Sequence, residues 1–395
     1  MSATIDQLNV FINAYREAHG RVVVLYHANC VDGYMSQIII RKLLNDIQQG
    51  DSFKPPVDDN LDQIPVSSTS GNLYIPIQYE YTYEEWTKLV NGIGFKDVIL
   101  VDFSPNIKRL KELSRKSQSV LIIDHHESTK KMVDKYWEID PMSHLKIRGF
   151  KDLSWYDLKD HLAQRIDGSD YMPTMEFDNT LIIHEDKMCG AMMCWFLEYC
   201  QWVPGDKRHE HLMALDFDSI VKDAPPMVQA TDDYDRYALK QKGSKEIQAF
   251  LYQQVYFGSL YFWCEITDDT VIATRNDYIA RGSDLLLAKE KELKVLIARS
   301  KQKVYLGGNE FIAVNASASL VNDIGELLSN ATGLPVAIWE IRSNYIKVSL
   351  RSSVENGNFD VGTIAAQYGG GGHRNAASFM INNNSLLEYA VSDLQ

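Results

Sequence analysis

"VLIIDHHEST", residues 120–129, sets an unbroken run of β-branched and leucine side chains directly against an aspartate and two histidines. A run so continuously apolar reads as a strand buried on both faces, which is the habit of parallel sheets covered by helices. Aspartate and histidine are costly to bury without partners, so the end of this strand must open into a polar space.

Two further strands fit the same pattern: "RVVVLYH" (21–27) and "DVILVDFSP" (97–105), the second stopped by proline. Between them lie helical spacings. "GYMSQIIIRKLLNDI" places Met35, Ile38, Ile39 and Leu43 on one face, and "YEEWTKLVNGIG" and "IKRLKELSRK" follow. Alternation of strand and helix predicts an α/β fold built on a parallel sheet. Residues 46–72 are polar and rich in turn formers, and 128–183 lack a sustained period, so both read as insertions. The aromatic strings "LSWYDLKD" and "SDYMPTMEF" within the second could pack or could stack bases. "KMCGAMMCWFLEYC" (187–200) has the composition of a buried helix, and 241–290 reads as a helical linker. From "KVLIARS" onward the pattern runs strand, strand, helix, strand, strand, helix, a second and smaller α/β unit over 291–395.

At 395 residues, two domains are the expectation. No apolar run is long enough to span a bilayer and "MSATIDQLNV" lacks the order of a secretory signal, so the cytoplasm is the expected compartment and no membrane partner is expected. Five cysteines without a CxxC pair read as reduced thiols. A formal net charge of −13 argues against extensive contact with long duplex DNA, while leaving room for a local basic pocket. A homodimer is compatible with all of this.

Ligands bind a parallel sheet at the carboxyl ends of its strands. There the first strand brings His27, Asn29, Cys30 and Asp32, the second Asp102, and the third Asp124, His125 and His126. Singly, such residues are ordinary turn formers or helix caps. Gathered on one edge, they call for a cation, and a carboxylate able to bridge makes a pair of divalent metals the natural occupant. Near the C-terminus, "GGGGHRNAASF" (369–379) lets backbone pass close to a ligand, and the strand in "KVSLRSS" (347–353) ends with Arg351, a side chain suited to forked phosphate binding.

Together "HANCVDG", "VDFSP", "IIDHH", "SLRS" and "GGGGHRNAASF" resemble the DHH phosphoesterase superfamily, in the branch with a DHH-associated C-terminal domain. The resemblance covers both ends of the chain and not the middle insertions. It implies a DHH catalytic domain over 1–240, the linker at 241–290 and a substrate-binding domain over 291–395. It implies two metals, typically manganese: His27 and Cys30 facing one, Asp32 and His125 the other, Asp102 bridging, and a fourth aspartate in "VQATDDYDRYA" (228–238), with Asp233 chosen and Asp232 second. Asp124 would hold His125 in its ligating tautomer, and His126 would stand beside the scissile phosphate. Arg351, Ser352, the amides of Gly370, Gly371 and Gly372, and His373 would grip substrate. Cys30 stands where many members carry an aspartate, and a thiolate is softer than manganese prefers. The implied reaction is hydrolysis of short oligonucleotides or dinucleotides. The alternatives are a small nucleotide substrate (cyclic dinucleotide, nucleoside bisphosphate or polyphosphate) and a noncatalytic nucleotide-binding protein.

Overall fold

The computed structural model describes residues 22–49, 67–69, 72–79, 81–150, 176–201, 221–258, 260–267, 275–342, 345–353 and 359–382. Both aromatic strings of the second insertion lie outside these, save for the last residues of "SDYMPTMEF". The chain divides into two compact units between Leu285 and Leu286.

The first unit contains β1 (Val22–His27), α1 (Val31–Gln49), β2 (Ser67–Thr69), β3 (Asn72–Ile77), α2 (Tyr83–Ile93), β4 (Asp97–Val101), α3 (Ile107–Lys116), β5 (Ser119–Asp124), α4 (Glu127–Ile139), β6 (Lys146–Arg148), β7 (Thr180–His184), α5 (Gly190–Gln201), α6 (Pro226–Asp235), α7 (Ser244–Phe257) and α8 (Leu260–Ile266). Its sheet has the order β2-β3-β1-β4-β5-β7-β6. All strands run parallel except β2, which is antiparallel to β3. Alternate residues feed two cores. Val22, Val24, Tyr26, Val101 and Ile123 pack against α1, α5, α6 and α7, and Val23, Leu25, Leu100 and Ile122 pack against α2, α3 and α4. Each of these side chains is worth about 1.5–3 kcal/mol when fully buried, which is why the strands read as continuous apolar runs.

Local sequence sets the helix starts. Thr82 and Glu85 form a reciprocal capping box on α2, and Asn106 accepts the Arg109 amide to open α3. The helix expected at 187–200 is buried as α5. Three expectations need correction. The span 128–183 is more than an insertion: it supplies α4, β6 and most of β7, and β7 pairs with β5 along its length. Residues 241–290 do not simply link, because Ile247, Phe250, Leu251, Trp263 and Ile266 are buried in the first unit's core. "KVLIARS" (294–300) is helix, the end of α9 (Arg275–Ser300).

The second unit contains β8 (Gln302–Leu306), β9 (Asn309–Asn315), α10 (Val321–Thr332), β10 (Val336–Ile341), β11 (Tyr345–Arg351), α11 (Val361–Gln367), β12 (Gly371–His373) and β13 (Ala376–Asn382). Its sheet order is β12-β13-β11-β10-β9-β8, with only β9 and β10 parallel. One face packs Phe311, Val348, Leu350 and Phe379 against α11, and the other packs Val314, Val336 and Ile338 against α10. Among the described residues no helix is long and apolar enough to cross a membrane.

Sheet topology fixes where a site can form. β1 is flanked by β3 on one side and β4 on the other, so connections diverge there and leave a crevice at the carboxyl ends of β1 and β4.

The fully buried Asn179 ties β7 to α3. Its Nδ2 donates to the carbonyls of Ser114 (2.9 Å) and Ser117 (3.0 Å), and its Oδ1 accepts from Ser114 Oγ (2.6 Å). Asn179→Ala leaves those helix-end carbonyls without their donor. It should cost about 2–4 kcal/mol in urea unfolding, against a negligible change if water replaces the amide.

Candidate metal centre

The residues expected from β1, β4 and β5 do meet at that crevice. His27 ends β1, and its Nδ1 lies 3.3 Å from Asp102 Oδ2. Asp102 follows β4 with a left-handed backbone (φ 53°), its amide donating to the Ile123 carbonyl at 2.9 Å. His125 Nε2 stands 3.3 Å from Asp102 Oδ1, 3.6 Å from Asp32 Oδ2 and 3.4 Å from Asp235 Oδ2. Three sets have ligand atoms within 4.8 Å of one another: His27, Cys30 and Asp102; Asp32, His125 and Asp235; and Asp102, Asp124, His125 and His126.

Asp32 opens α1 yet serves another helix. Its two carboxylate oxygens accept the amides of Gly190 (2.7 Å) and Ala191 (2.6 Å), at the positive end of α5. Gly190 permits the approach: a Cβ there would lie 2.9 Å from Asp102 Cβ and 3.1 Å from Asp32 Oδ2.

Of the aspartates in 228–238, the structure brings Asp235 to the cluster and not Asp233. Asp233 spends its carboxylate on the turn after α6, accepting the amides of Lys240 (2.8 Å) and Gln241 (3.0 Å). Asp232 is equally committed, to the Cys189 amide (2.8 Å) and the Arg236 guanidinium. Asp235 was missed. Its signal is the helical spacing Val228, Asp232, Asp235, a face whose first two members are buried.

Asp124 also plays a different part from the one expected. It is fully buried, and its Oδ1 accepts from His126 Nδ1 (2.7 Å) and from the backbone amide of His125 (2.9 Å). Its Oδ2 accepts from Ser104 Oγ (2.6 Å) and Thr129 Oγ1. The ring it orients is therefore that of His126, not His125. Tyr79, which the sequence did not single out, sits on the rim, with its ring 5.2 Å from His27 and 6.3 Å from His126.

The electrostatics test what belongs here. Burial, then the charges of Asp102 and Asp235, push the Asp32 carboxyl well above its usual range. Burial also raises Asp235, with Asp102 adding to it against His125. Asp102 itself is held low: burial opposes ionisation, and the two histidines beside it prevail. Burial, Asp102 and Asp32 push the Cys30 thiol up. Among the described residues, the buried His125 Nε2 has carboxylate oxygens at 3.3–3.6 Å but no partner in hydrogen-bond geometry. An orphan imidazole nitrogen ringed by carboxylates that repel one another fits a divalent cation, and Asp102, common to two sets, can serve a pair.

The second unit is described by itself. Arg351 ends β11 with its guanidinium forked on Asn322 Oδ1, Nε at 3.1 Å and Nη2 at 2.9 Å. Arg351 and His373 both pair with Ala376, placing them in one row across three strands. Ser352 is not available as expected: its hydroxyl donates to the Phe359 carbonyl (2.7 Å) and accepts from Asn375 (2.9 Å). The Gly370 amide is likewise taken, by the Ala365 carbonyl at 2.9 Å, and a Cβ at Gly370 would lie 2.1 Å from the Ser378 carbonyl oxygen. Gly371, Gly372 and His373 are exposed.

A parallel sheet with imidazoles and carboxylates gathered at its switch point defines an α/β protein with a candidate metal centre. Residues 295–395 match the DHHA1 domain. The DHH string and its cluster lie in the first unit, outside that match. Uncharacterized protein R106 of Acanthamoeba polyphaga mimivirus is 22% identical over 362 residues, 90% of this chain and 66% of that protein, so the chain spans slightly less than two thirds of that relative. Similar solved structures include the DHH domain of a protein described as a member of a ribosomal protein family (15% identity, 99% of this chain, 90% of that one, TM-score 0.48). Another is the exonuclease RecJ bound to manganese (15% identity, 99% and 93%, TM-score 0.41).

The three aspartates of α6 can be told apart experimentally. Asp235→Asn should weaken manganese binding in calorimetry at least about tenfold, while Asp233→Asn should lower thermal stability and leave the number of bound ions unchanged. The reverse pattern would restore Asp233 as the ligand. A further expectation concerns protons. Burial disfavours protonated His125, but Asp102, Asp32 and Asp235 outweigh it and lift the imidazole from 6.5 to about 10. In chelated protein that proton stabilises the fold fully below pH 6.5, and the benefit is lost as pH rises through about 10. Cation binding at pH 7.5 should therefore release at least one proton, with the raised Cys30 thiol and Asp32 carboxyl able to add to it, seen by titrating in buffers of different ionisation enthalpy. Zero release would contradict it.

Proposed function

We propose that the chain is a metal-dependent phosphoesterase that hydrolyses short oligonucleotides to mononucleotides. The observation that carries this is the orphan His125 Nε2 among three carboxylates, with His126 fixed next to it by Asp124. Asp32, His125 and Asp235 would hold one divalent ion, His27 and Cys30 another, and Asp102 would serve both. Manganese is the expected metal. When bound, such ions supply an acidified water and neutralise charge on a phosphoryl group.

The chain's own residues do the rest. Asp124 takes the Nδ1 side of His126 and leaves the opposite ring nitrogen for substrate, on a side chain 35% exposed. Burial works against the protonated imidazole, yet Asp124 lifts His126 above its usual range, so it can donate a proton to the leaving oxygen or absorb charge on the phosphate. The partly exposed Tyr79 ring offers a face beside both histidines. In the second unit, Asn322 is a neutral acceptor, and a phosphate oxygen is the stronger partner for the Arg351 fork. His373 and the amides of Gly371 and Gly372 would complete that grip, with Ser352 and Gly370 shaping the loop. The acidic balance of the chain favours substrates of a few nucleotides over long DNA.

The test is a substrate panel with manganese and with chelator: dimers, trimers, long single strands, cyclic dinucleotides and polyphosphate. Release of mononucleotides from dimers and trimers, abolished by chelator, is the expected result. Asp124→Asn should lower turnover about 10- to 100-fold while ions still bind. Preferential turnover of cyclic dinucleotides or polyphosphate would move the substrate to that class. Tight nucleotide binding without product would make the chain a binding protein.

A further inference from the structure

A cavity of about 510 Å³ lies beside the end of α4 and the start of β6, lined by Trp137, Ser143, His144, Leu145, Lys146 and Arg148 among others. It is remote from the metal centre. β6 is the edge strand, two places beyond β5 in the sheet. Trp137 lies eleven residues along α4 from His126, about 16 Å of helix rise away.

Its chemistry is unusual for this chain. Although the chain has 53 acidic against 40 basic residues overall, the described residues lining the cavity include a lysine, an arginine and a histidine and no carboxylate. Among the described residues neither Lys146 nor Arg148 forms an ion pair; Arg148 Nη1 reaches only the Ile147 carbonyl, at 3.2 Å. The two cations alternate with Ile147, which packs into the core, so they leave the strand on the same side, spaced by about 7 Å of backbone. Trp137 is half-buried against that core, and its Nε1 donates to the Leu145 carbonyl at 3.3 Å, which fixes the plane of the ring. Its ring stacks on no other aromatic among the described residues. A held indole beside two unpaired cations is complementary to a planar group carrying a phosphate.

We propose that this cavity is a second nucleotide-binding site, taking the base of a nucleoside monophosphate unit on Trp137 and its phosphate on Lys146 and Arg148. The unit is either a free mononucleotide or the terminal nucleotide of a longer strand. Both present the same chemistry to the cavity, and length dependence separates them.

The test is calorimetric titration of the full chain in chelator, which silences the metal centre, with adenosine and uridine 5′-monophosphates, a hexanucleotide and inorganic phosphate. Lys146→Glu with Arg148→Glu changes exposed side chains, so the fold is retained. It should weaken nucleotide binding about tenfold or more, and Trp137→Phe should weaken it several-fold without abolishing it. Loss confined to the hexanucleotide assigns the site to a strand end, and loss with the monophosphates assigns it to free nucleotide. Equal affinity in the double variant, no saturable binding, or phosphate binding as tightly as nucleotide would overturn the proposal. Manganese-dependent turnover of a dinucleotide stays unchanged in the double variant, so failure here leaves the proposed activity standing.

Discussion

Three carboxylates converge on one imidazole nitrogen at the carboxyl edge of a buried sheet, and the structure has to tolerate that concentration of charge. It does so partly with backbone. The amides opening α5 point at Asp32, so a helix terminus carries some of the negative charge before any cation is considered. The histidines carry more, which is why Asp102 stays ionised while Asp32 is pushed the other way. What remains is a ring of oxygens around a nitrogen that no donor or acceptor among the described residues satisfies. Folding alone gives no reason to keep such a group, since an apolar replacement of similar volume is often as stable.

The fold and the centre depend on each other. β1, β4 and β5 are buried on both faces, so their polar residues can stand only at their ends, and parallel pairing brings those ends to one edge. Asp102 leaves β4 in a left-handed conformation, a local cost of roughly 1–2 kcal/mol that the surrounding pairs over-determine. Gly190 then lets α5 close over the Asp32 and Asp102 carboxylates with no side chain between. Behind the centre, Asp124 accepts from Ser104, Thr129 and His126 and so couples the turn after β4 to the start of α4.

Much of this was legible in the sequence, for identifiable reasons. A strand buried on both faces has no alternation to misread, so "VLIIDHH" and "DVILVD" announced both the parallel sheet and its polar edge. β7 was harder: "TLIIH" is only five residues, follows a polar span, and reveals itself through pairing with β5. Asp235 was hidden because three aspartates within four residues of one helix differ only in the direction they face. Two adjacent histidines at a strand end pose a similar problem, and only coordinates show that Asp124 turns back to the second of them. Ser352 was misjudged because its hydroxyl is consumed by Phe359 and Asn375, partners that chain order does not bring to mind. The cations of β6 were invisible for the opposite reason, since Lys146 and Arg148 are unremarkable until the described residues around them are seen to offer no ion-pair partner.

The proposed chemistry requires Asp102 to serve two cations at once. Anomalous diffraction from crystals soaked in manganese addresses it directly. Two peaks about 3.5–4 Å apart, both within bonding distance of the Asp102 carboxylate and one of them on His125 Nε2, are the expected result. A single peak away from Asp102, or none at all in the crevice between β1 and β4, would contradict it.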